Sequence, residues 1–315
     1  MLTSTGDTLS SKEHPLRLAP IEFPKPVFSV ALHPKTKTDV DKLGTVLPRL
    51  VEDDLTLQVR KELDTGEIVL SGMGDSHVEV ATEKIQRKFG VGVRAEIPKV
   101  PYKETITTLT KAEYKHKKQT GGHGQYGHVF LELEPLPRGS GFEFTERVVG
   151  GSVPRNYIPA VEKGVLEARQ EGVLARYPVV DVRATLYDGS SHPVDSSEIS
   201  FKIAGAQALK KGLSQGQPVL LEPIMHLKVT VPEAFIGDII GDLNTKRAKV
   251  LGLSRQNDNQ VIEAQVPLSE VLRYAIDLRS ITQGRGSYNM EYSHYEEVPA
   301  HLTQKIVAER AQEKA

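Results

Sequence analysis

The feature that most constrains this chain is an order of elements that occurs twice. Residues 27–32 alternate as a strand, and Val40, Leu43, Leu47 and Leu50 then recur at helical spacing. Residues 55–61 and 67–70 predict a hairpin, because Asp64, Thr65 and Gly66 supply turn chemistry between two strand-like runs. Val78, Ala81, Ile85 and Phe89 mark a second helix, and residues 91–97 a closing strand. Strand, helix, strand, strand, helix, strand in roughly 70 residues is a ferredoxin-like order.

The same order returns near the C-terminus. Residues 224–231 predict a strand, and Ile236, Ile239, Ile240 and Leu243 face one side of a helix. Residues 250–255 and 260–266 pair around Asn257, Asp258 and Asn259. Leu268, Leu272 and Ile276 define another helix, and residues 287–295 a last strand. The two units share a pattern with little residue identity.

Between them lies a region of different grammar. Its most singular stretch is KHKKQTGGHGQYGH, residues 115–128, in which Gly121, Gly122, Gly124 and Gly127 sit beside a cationic run and Tyr126. Residues 105–112 and 129–133 read as strands, so the stretch is predicted to be a tight, exposed loop held between them, with main-chain amides on offer. A helix over about residues 154–171 carries Ile158, Val161 and Val165 on one face, and a strand over 179–186 leads to a second polar loop, YDGSSHPVDSSE, residues 187–198. Ser196 or Ser197 is the expected N-cap of the next helix. Residues 299–314 suggest an amphipathic helix of marginal independent stability. The first 22 or so residues, polar and then punctuated by Pro15 and Pro20, are too short for a domain and read as the tail of something upstream or a leader.

Composition narrows the chemistry. A length of 315 residues suggests two or three domains, and 38% hydrophobic with 26% charged residues suits a soluble globular protein. No apolar run approaches the roughly 20 residues of a membrane helix, and the start lacks the order of a signal peptide. The absence of cysteine excludes disulfides, thiolate catalysis and cysteine-bound zinc, so a cytoplasmic location with no membrane partner is expected. A net charge of −1 argues against wholesale coating of nucleic acid, yet charge is segregated: residues 111–118 hold Lys111, Lys115, Lys117 and Lys118 against Glu113 alone.

The glycine loop is not a nucleotide cradle. That requires G-x-x-x-x-G-K-[ST] opening a helix, whereas Gly127 precedes His128 and a strand, and no other stretch supplies the signature. If the strands that carry the two polar loops are neighbours, His123, Gln125, Ser190, Ser191, His192 and Asp195 form a composite tip; otherwise they belong to two unrelated solvent loops. The cationic run favours the functional alternative. Ser190, His192 and Asp195 have the vocabulary of a nucleophile triad, but an Asp188-Gly189 turn and a helix cap explain the same residues. His116, His123 and His128 lack metal-ligand spacing, so no metal site is expected. In the last unit, Lys246 and Arg247 end a helix and Arg285 lies in a glycine turn; these are candidates for phosphate contact, or a solvated face favoured by the helix dipole.

Several long segments together resemble one family. QTGGHGQYGHV, LYDGSSHPVDSSE, FKIAGAQALKKG, EPIM, IGDLNTKR and DLRSITQGRGSYNM, with FPKPVFSVALHPKTKTDVDKL and SGMGDSHVEV earlier, are similar to the C-terminal half of translation elongation factor G. The resemblance covers nearly the whole chain. It implies an α+β, multidomain fold: the end of domain II to residue 22, a ferredoxin-like domain III over 23–98, a ribosomal-protein-S5-like domain IV over 99–222, a ferredoxin-like domain V over 223–297 and a C-terminal helix over 298–315.

The resemblance also implies a function. In that family GTP hydrolysis drives tRNA and mRNA through the ribosome, and domain IV enters the decoding region of the small subunit. Gln119, Thr120, Gly121, Gly122, His123, Gly124, Gln125 and Tyr126 match the first tip loop. Gly189, Ser190, Ser191, His192, Asp195, Ser196 and Glu198 match the second, with His192 as a polar wedge and not an acid or base. Lys246, Arg247 and Arg285 match the part of domain V that meets large-subunit RNA at the factor-binding centre. No catalytic residue and no cofactor are expected in this chain; GTP and Mg²⁺ belong to the family's GTPase domain, which the chain lacks and which domain III contacts. His123 replaces the usual arginine and Asp75-Ser76 the usual Glu-Leu, which suggests a divergent paralogue. Ribosome recycling or ribosome protection by the same architecture is the alternative function, and a stand-alone hydrolase using His192 and Asp195 is another.

Overall fold

The computed structural model describes residues 3, 5–119 and 124–313. They fall into two compact units, one built from residues 1–100 and 224–293, the other from 101–223 and 294–315.

The first unit holds both repeats. In the N-terminal one, β1 (Phe28–Pro34), α1 (Lys37–Asp53), β2 (Gln58–Lys61), β3 (Ile68–Gly72), α2 (Asp75–Phe89) and β4 (Val93–Glu96) follow one another. The strands order as β2-β3-β1-β4, which is the ferredoxin-like arrangement. Thr36 and Asp39 close a capping box at the start of α1, each side chain satisfying the other's backbone amide. Gly90, left-handed at φ 66°, ends α2. Leu43, Leu47 and Leu50 of α1 meet Val78, Ala81 and Ile85 of α2 over Leu70 of β3. Val40 is instead 55% exposed, because the buried stripe of α1 runs through Leu43, Val46, Leu47 and Leu50 and leaves Val40 on its flank.

The second repeat uses β10 (Pro218–Pro232), α5 (Ile236–Thr245), β11 (Lys249–Gln256), β12 (Asn259–Pro267), α6 (Leu268–Val271), α7 (Tyr274–Thr282) and β13 (Ser287–Glu297). Its order, β11-β12-β10-β13, repeats the first. The helix expected from Leu268, Leu272 and Ile276 is broken in two, and the buried stripe lies on Val271, Tyr274, Leu278 and Thr282. The expectation was displaced because Tyr274, which is 0% exposed, supplies the apolar bulk that the count of aliphatics assigned to its neighbours. Within this unit Arg279 grips Asp75 through two nitrogens, and the Tyr288 hydroxyl donates to the Val27 carbonyl.

The second unit begins with β5 (Lys103–Ile106), which pairs antiparallel with residues 218–221 of β10. β6 (Thr110–Lys118), β7 (Gln125–Pro135), β9 (Val182–Ser190) and β8 (Phe142–Glu146) form a sheet in the order β6-β7-β9-β8, with β8 and β9 parallel. α3 (Ile158–Ala168) and α4 (Glu198–Gln215) cover one face of it, and α8 (Ala300–Glu313) closes the chain. A Cβ on Gly164 would sit 2.0 Å from the Lys202 carbonyl oxygen, so α3 and α4 touch backbone to backbone there.

Three expectations in this unit are corrected. The strand predicted over 105–112 is two strands, because the amides of Thr107 and Thr108 both donate to the Gly216 carbonyl and turn the chain from β5 to β6. The predicted loop over 115–128 is mostly hairpin: β6 runs through Lys118 and pairs with β7 from Gln125. β6 is an edge strand, and outward lysines there block further pairing instead of marking a loop. β9 likewise continues to Ser190, past the end expected at residue 186.

Candidate nucleic-acid interface

Both polar loops emerge from neighbouring strands. β7 pairs with β9 in a register that sets His128 opposite Ser190, so the end of the β6–β7 hairpin and the loop after β9 leave the sheet side by side. Two glycines allow the approach. A Cβ on Gly189 would meet the His128 carbonyl oxygen at 2.4 Å, and one on Gly127 the Ser200 carbonyl oxygen at 2.8 Å.

The loops are laced together through Asp195 and Ser196. The Gly124 amide donates to Asp195 Oδ1 at 3.1 Å, and the Tyr126 amide to the Asp195 carbonyl at 2.8 Å. Ser196 Oγ donates to the Tyr126 carbonyl at 3.0 Å and accepts from the His192 amide at 2.8 Å. Ser197, of the two expected candidates, caps α4 by accepting from the Ser200 amide. Glu198 follows in the first turn, exposed, where the helix dipole favours a negative charge.

His192 is held at the outer edge of this lacing. Its Nδ1 accepts from the amides of Val194 at 3.3 Å and Asp195 at 3.2 Å, which places the proton of the neutral ring on Nε2. That N–H belongs to an exposed ring and is a donor available to an acceptor outside the protein. Asp195 Oδ2 lies 3.4 Å from His192 Nδ1. Ser191 is exposed beside it. Ser190 faces elsewhere: its hydroxyl bonds to Tyr126 OH at 2.8 Å and His128 Nδ1 at 3.3 Å. The triad vocabulary therefore has no triad geometry, since the Ser190 hydroxyl bonds to Tyr126 and His128 and not to His192.

Gln125 bonds through its side-chain carbonyl to His116 at 2.9 Å, and Gln119 is exposed at the end of β6. Thr120, Gly121, Gly122 and His123, the centre of the predicted first loop, lie outside the described residues. Among the described residues no group of three or more histidines and carboxylates could hold a metal ion.

The three cations of the second repeat differ in what they offer. Lys246 is 15% exposed on its side chain and bonds to Asp242 at 2.5 Å and Asp277 at 3.2 Å. Burial opposes its charge, but the two carboxylates outweigh that and hold its pKa above the usual lysine value. Arg247, left-handed at φ 57°, is spent on Glu270 at 2.8 Å and Ser269 at 3.2 Å. Arg285 is exposed with its guanidinium 4.7 Å from the Phe235 ring centre, leaving its edge to solvent. The i, i+4 spacing of Asp242 and Lys246 was a legible sign of an internal pair. Asp277, distant in sequence, gave no such sign.

Comparison with known proteins agrees with this architecture. Residues 23–97 match the model of elongation factor G domain III, 98–217 that of domain IV, and 219–306 that of the elongation factor G C-terminus. A crystal structure of a Thermus thermophilus protein is 45% identical with a TM-score of 0.82, covering 98% of this chain and 46% of that one. The chain thus spans about half the length of that relative. No helix among the described residues is long and apolar enough to cross a membrane. With three consecutive segments matched in family order, the chain belongs to the elongation factor G family of translation factors, of which it carries domain III, domain IV and the C-terminus.

Proposed function

We propose that this chain binds the ribosome and takes part in moving tRNA and mRNA, with the Gly124–Asp195 tip entering the decoding region of the small subunit. The observation that carries the reading is the lacing of Gly124 and Tyr126 to Asp195 and Ser196, beside which the Nε2–H of His192 is displayed. Such a donor suits a 2′-hydroxyl, a phosphate or a base edge in an RNA minor groove. Around it Lys115, Lys117 and Lys118 supply positive charge for the backbone. In the second repeat Arg285 is the better candidate for large-subunit RNA, because Lys246 and Arg247 already neutralise carboxylates.

GTP chemistry is assigned to none of these residues, because the 315-residue sequence contains no G-x-x-x-x-G-K-[ST] segment. A contact with the family's GTPase domain and Mg²⁺-bound nucleotide there belong to the same proposal. The test is sedimentation of the chain with ribosomes over a salt series, with an intact elongation factor G as competitor in a single-round translocation assay. The chain should pellet with ribosomes at low salt, lose affinity steeply as salt rises and slow translocation by the competitor. His192→Ala should weaken that inhibition. No ribosome association at low salt, or micromolar GTP binding by calorimetry, overturns the reading.

A further inference from the structure

The face of the β6-β7-β9-β8 sheet opposite α3 and α4 carries a second surface. Along β7, Val129, Leu131 and Leu133 point into the core, so Tyr126, His128 and Phe130 stand in a row on the open side. Tyr187 joins them at an irregularity of β9, where Asp188 and not Tyr187 takes the position opposite Phe130. The ring centres of His128 and Phe130 lie 4.5 Å apart, and those of Phe130 and Tyr187 6.0 Å apart. Lysines of β6 border the row: Lys115 Nζ is 5.4 Å from the centre of Tyr126, and Lys111 Nζ 5.5 Å from that of Tyr187.

Charge on this face is graded along the strands. Toward the base, Glu132 is taken by Lys111 and Arg147, while Glu134 and Glu143 are taken by Arg183. Glu113 faces His128 at 3.3 Å, and Asp188 accepts from the Gly189 amide. Toward the hairpin end, no carboxylate among the described residues forms an ion pair with Lys115 or Lys117 on this face. A row of rings beside unneutralised lysines fits a polyanion with flat faces better than an apolar protein surface, whose contact would strand those charges.

We propose that this sheet face binds single-stranded RNA, with unpaired bases stacked on Phe130 and Tyr187 and the backbone met by Lys115 and Lys117. The proposal rests on the RNA-directed reading of the tip and extends it from the loop end to the sheet. With ring centres 4.5 and 6.0 Å apart the rings touch one another, so bases would stack on the outward faces of Phe130 and Tyr187 and not between them. The Lys115 ammonium lies 5.4 Å from the Tyr126 ring centre, at the hairpin end of the same row.

The test is fluorescence anisotropy of a 5′-labelled oligoadenylate of about ten nucleotides, titrated with the full chain. Binding should weaken with salt at a log–log slope of about −1.4, the value for two phosphate contacts on a single strand. Phe130→Leu and Tyr187→Leu keep apolar bulk on the sheet and should each lower affinity about 5- to 100-fold with an unchanged circular dichroism spectrum. Lys115→Gln with Lys117→Gln should flatten the salt slope by about 1.4. Leucine variants that bind like the parent, or a duplex of equal length that binds as tightly, overturn the proposal, because stacking then contributes nothing. Absence of oligonucleotide binding while the chain still pellets with ribosomes also overturns it and leaves the tip reading intact; binding without pelleting does the reverse.

Discussion

Glu104 should be the residue whose loss most loosens the second unit. It is 1% exposed in β5, yet its carboxylate is fully used. Oε1 accepts from the amides of Ala175 at 2.8 Å and Tyr177 at 3.1 Å, and Oε2 from Leu174 at 2.9 Å. These amides belong to the connection between α3 and β9, where Arg176 is left-handed at φ 59° and has little local structure to hold it. Glu104→Ala leaves three buried donors without an acceptor. At about 1–3 kcal/mol for each, less what an entering water restores, the loss is about 3–5 kcal/mol. Glu104→Gln keeps the volume and has one carbonyl oxygen. Turned toward Ala175 and Tyr177, it strands only Leu174, so the cost is about 1–2 kcal/mol. Melting of a chain with several domains is not two-state, so the assay is amide exchange at Leu174, Ala175 and Tyr177. At about 1.4 kcal/mol per tenfold, alanine should cut protection at all three by about a hundredfold or more, and glutamine chiefly at Leu174. Gly172→Ala checks the geometry independently, since its Cβ would lie 2.1 Å from Glu104 Oε2 and push the carboxylate away. Equal, uniform loss in the glutamine and alanine variants, or a change under about threefold in alanine, would refute the account.

Lys246→Ala should cost about 1–3 kcal/mol, read as lost amide protection in the helices it packs against, because it strands Asp242 and Asp277 beside the buried Tyr274; it should leave the salt slope of ribosome binding unchanged, whereas Arg285→Ala should lower that slope and spare stability. Gly164→Ala should cost about 3 kcal/mol or more in the same assay, since its Cβ would meet the Lys202 carbonyl oxygen at 2.0 Å and force α3 from α4. The Thr36 hydroxyl, donating to Asp39 at 2.6 Å, holds that carboxyl below the usual range against the opposing pull of burial, with the Gly92 and Thr36 amides adding to it. A depressed acid stabilises above its unfolded pKa, so the contribution is present at neutral pH and is lost as pH falls below about 4; Asp39→Asn should flatten the acid-side loss of amide protection in α1 there.

Much of the architecture was legible because its signals are local. Leu43, Leu47 and Leu50 declare a helix face by spacing alone, and the Asn257–Asp258 turn, left-handed at Asn257 with φ 55°, declares its hairpin by residue type. What escaped depended on partners remote in sequence. Lysine-rich residues 115–118 look like loop in isolation, and only the register with residues 125–128 makes them strand. Tyr274 counts as polar in a stripe until its ring is seen at 0% exposure.

The candidate site divides along the same line. That two loops met was inferable from their residue types and flanking strands, but which atoms joined them was not. Asp195 was singled out for its chemistry beside His192, and its principal partner is the amide of Gly124, 71 positions away. The same limit governs the cations. Lysine and arginine at the end of α5 are equally consistent with a phosphate grip and with internal neutralisation, and composition cannot separate them because both states use the same residues. The separating fact is the position of Asp277 and Glu270, whose carboxylates reach Lys246 and Arg247 from α7 and α6. A cation available to RNA is therefore defined by the carboxylates that fail to reach it, which is why Lys115 and Arg285, and not the denser Lys246–Arg247 pair, are the groups on which recognition should turn.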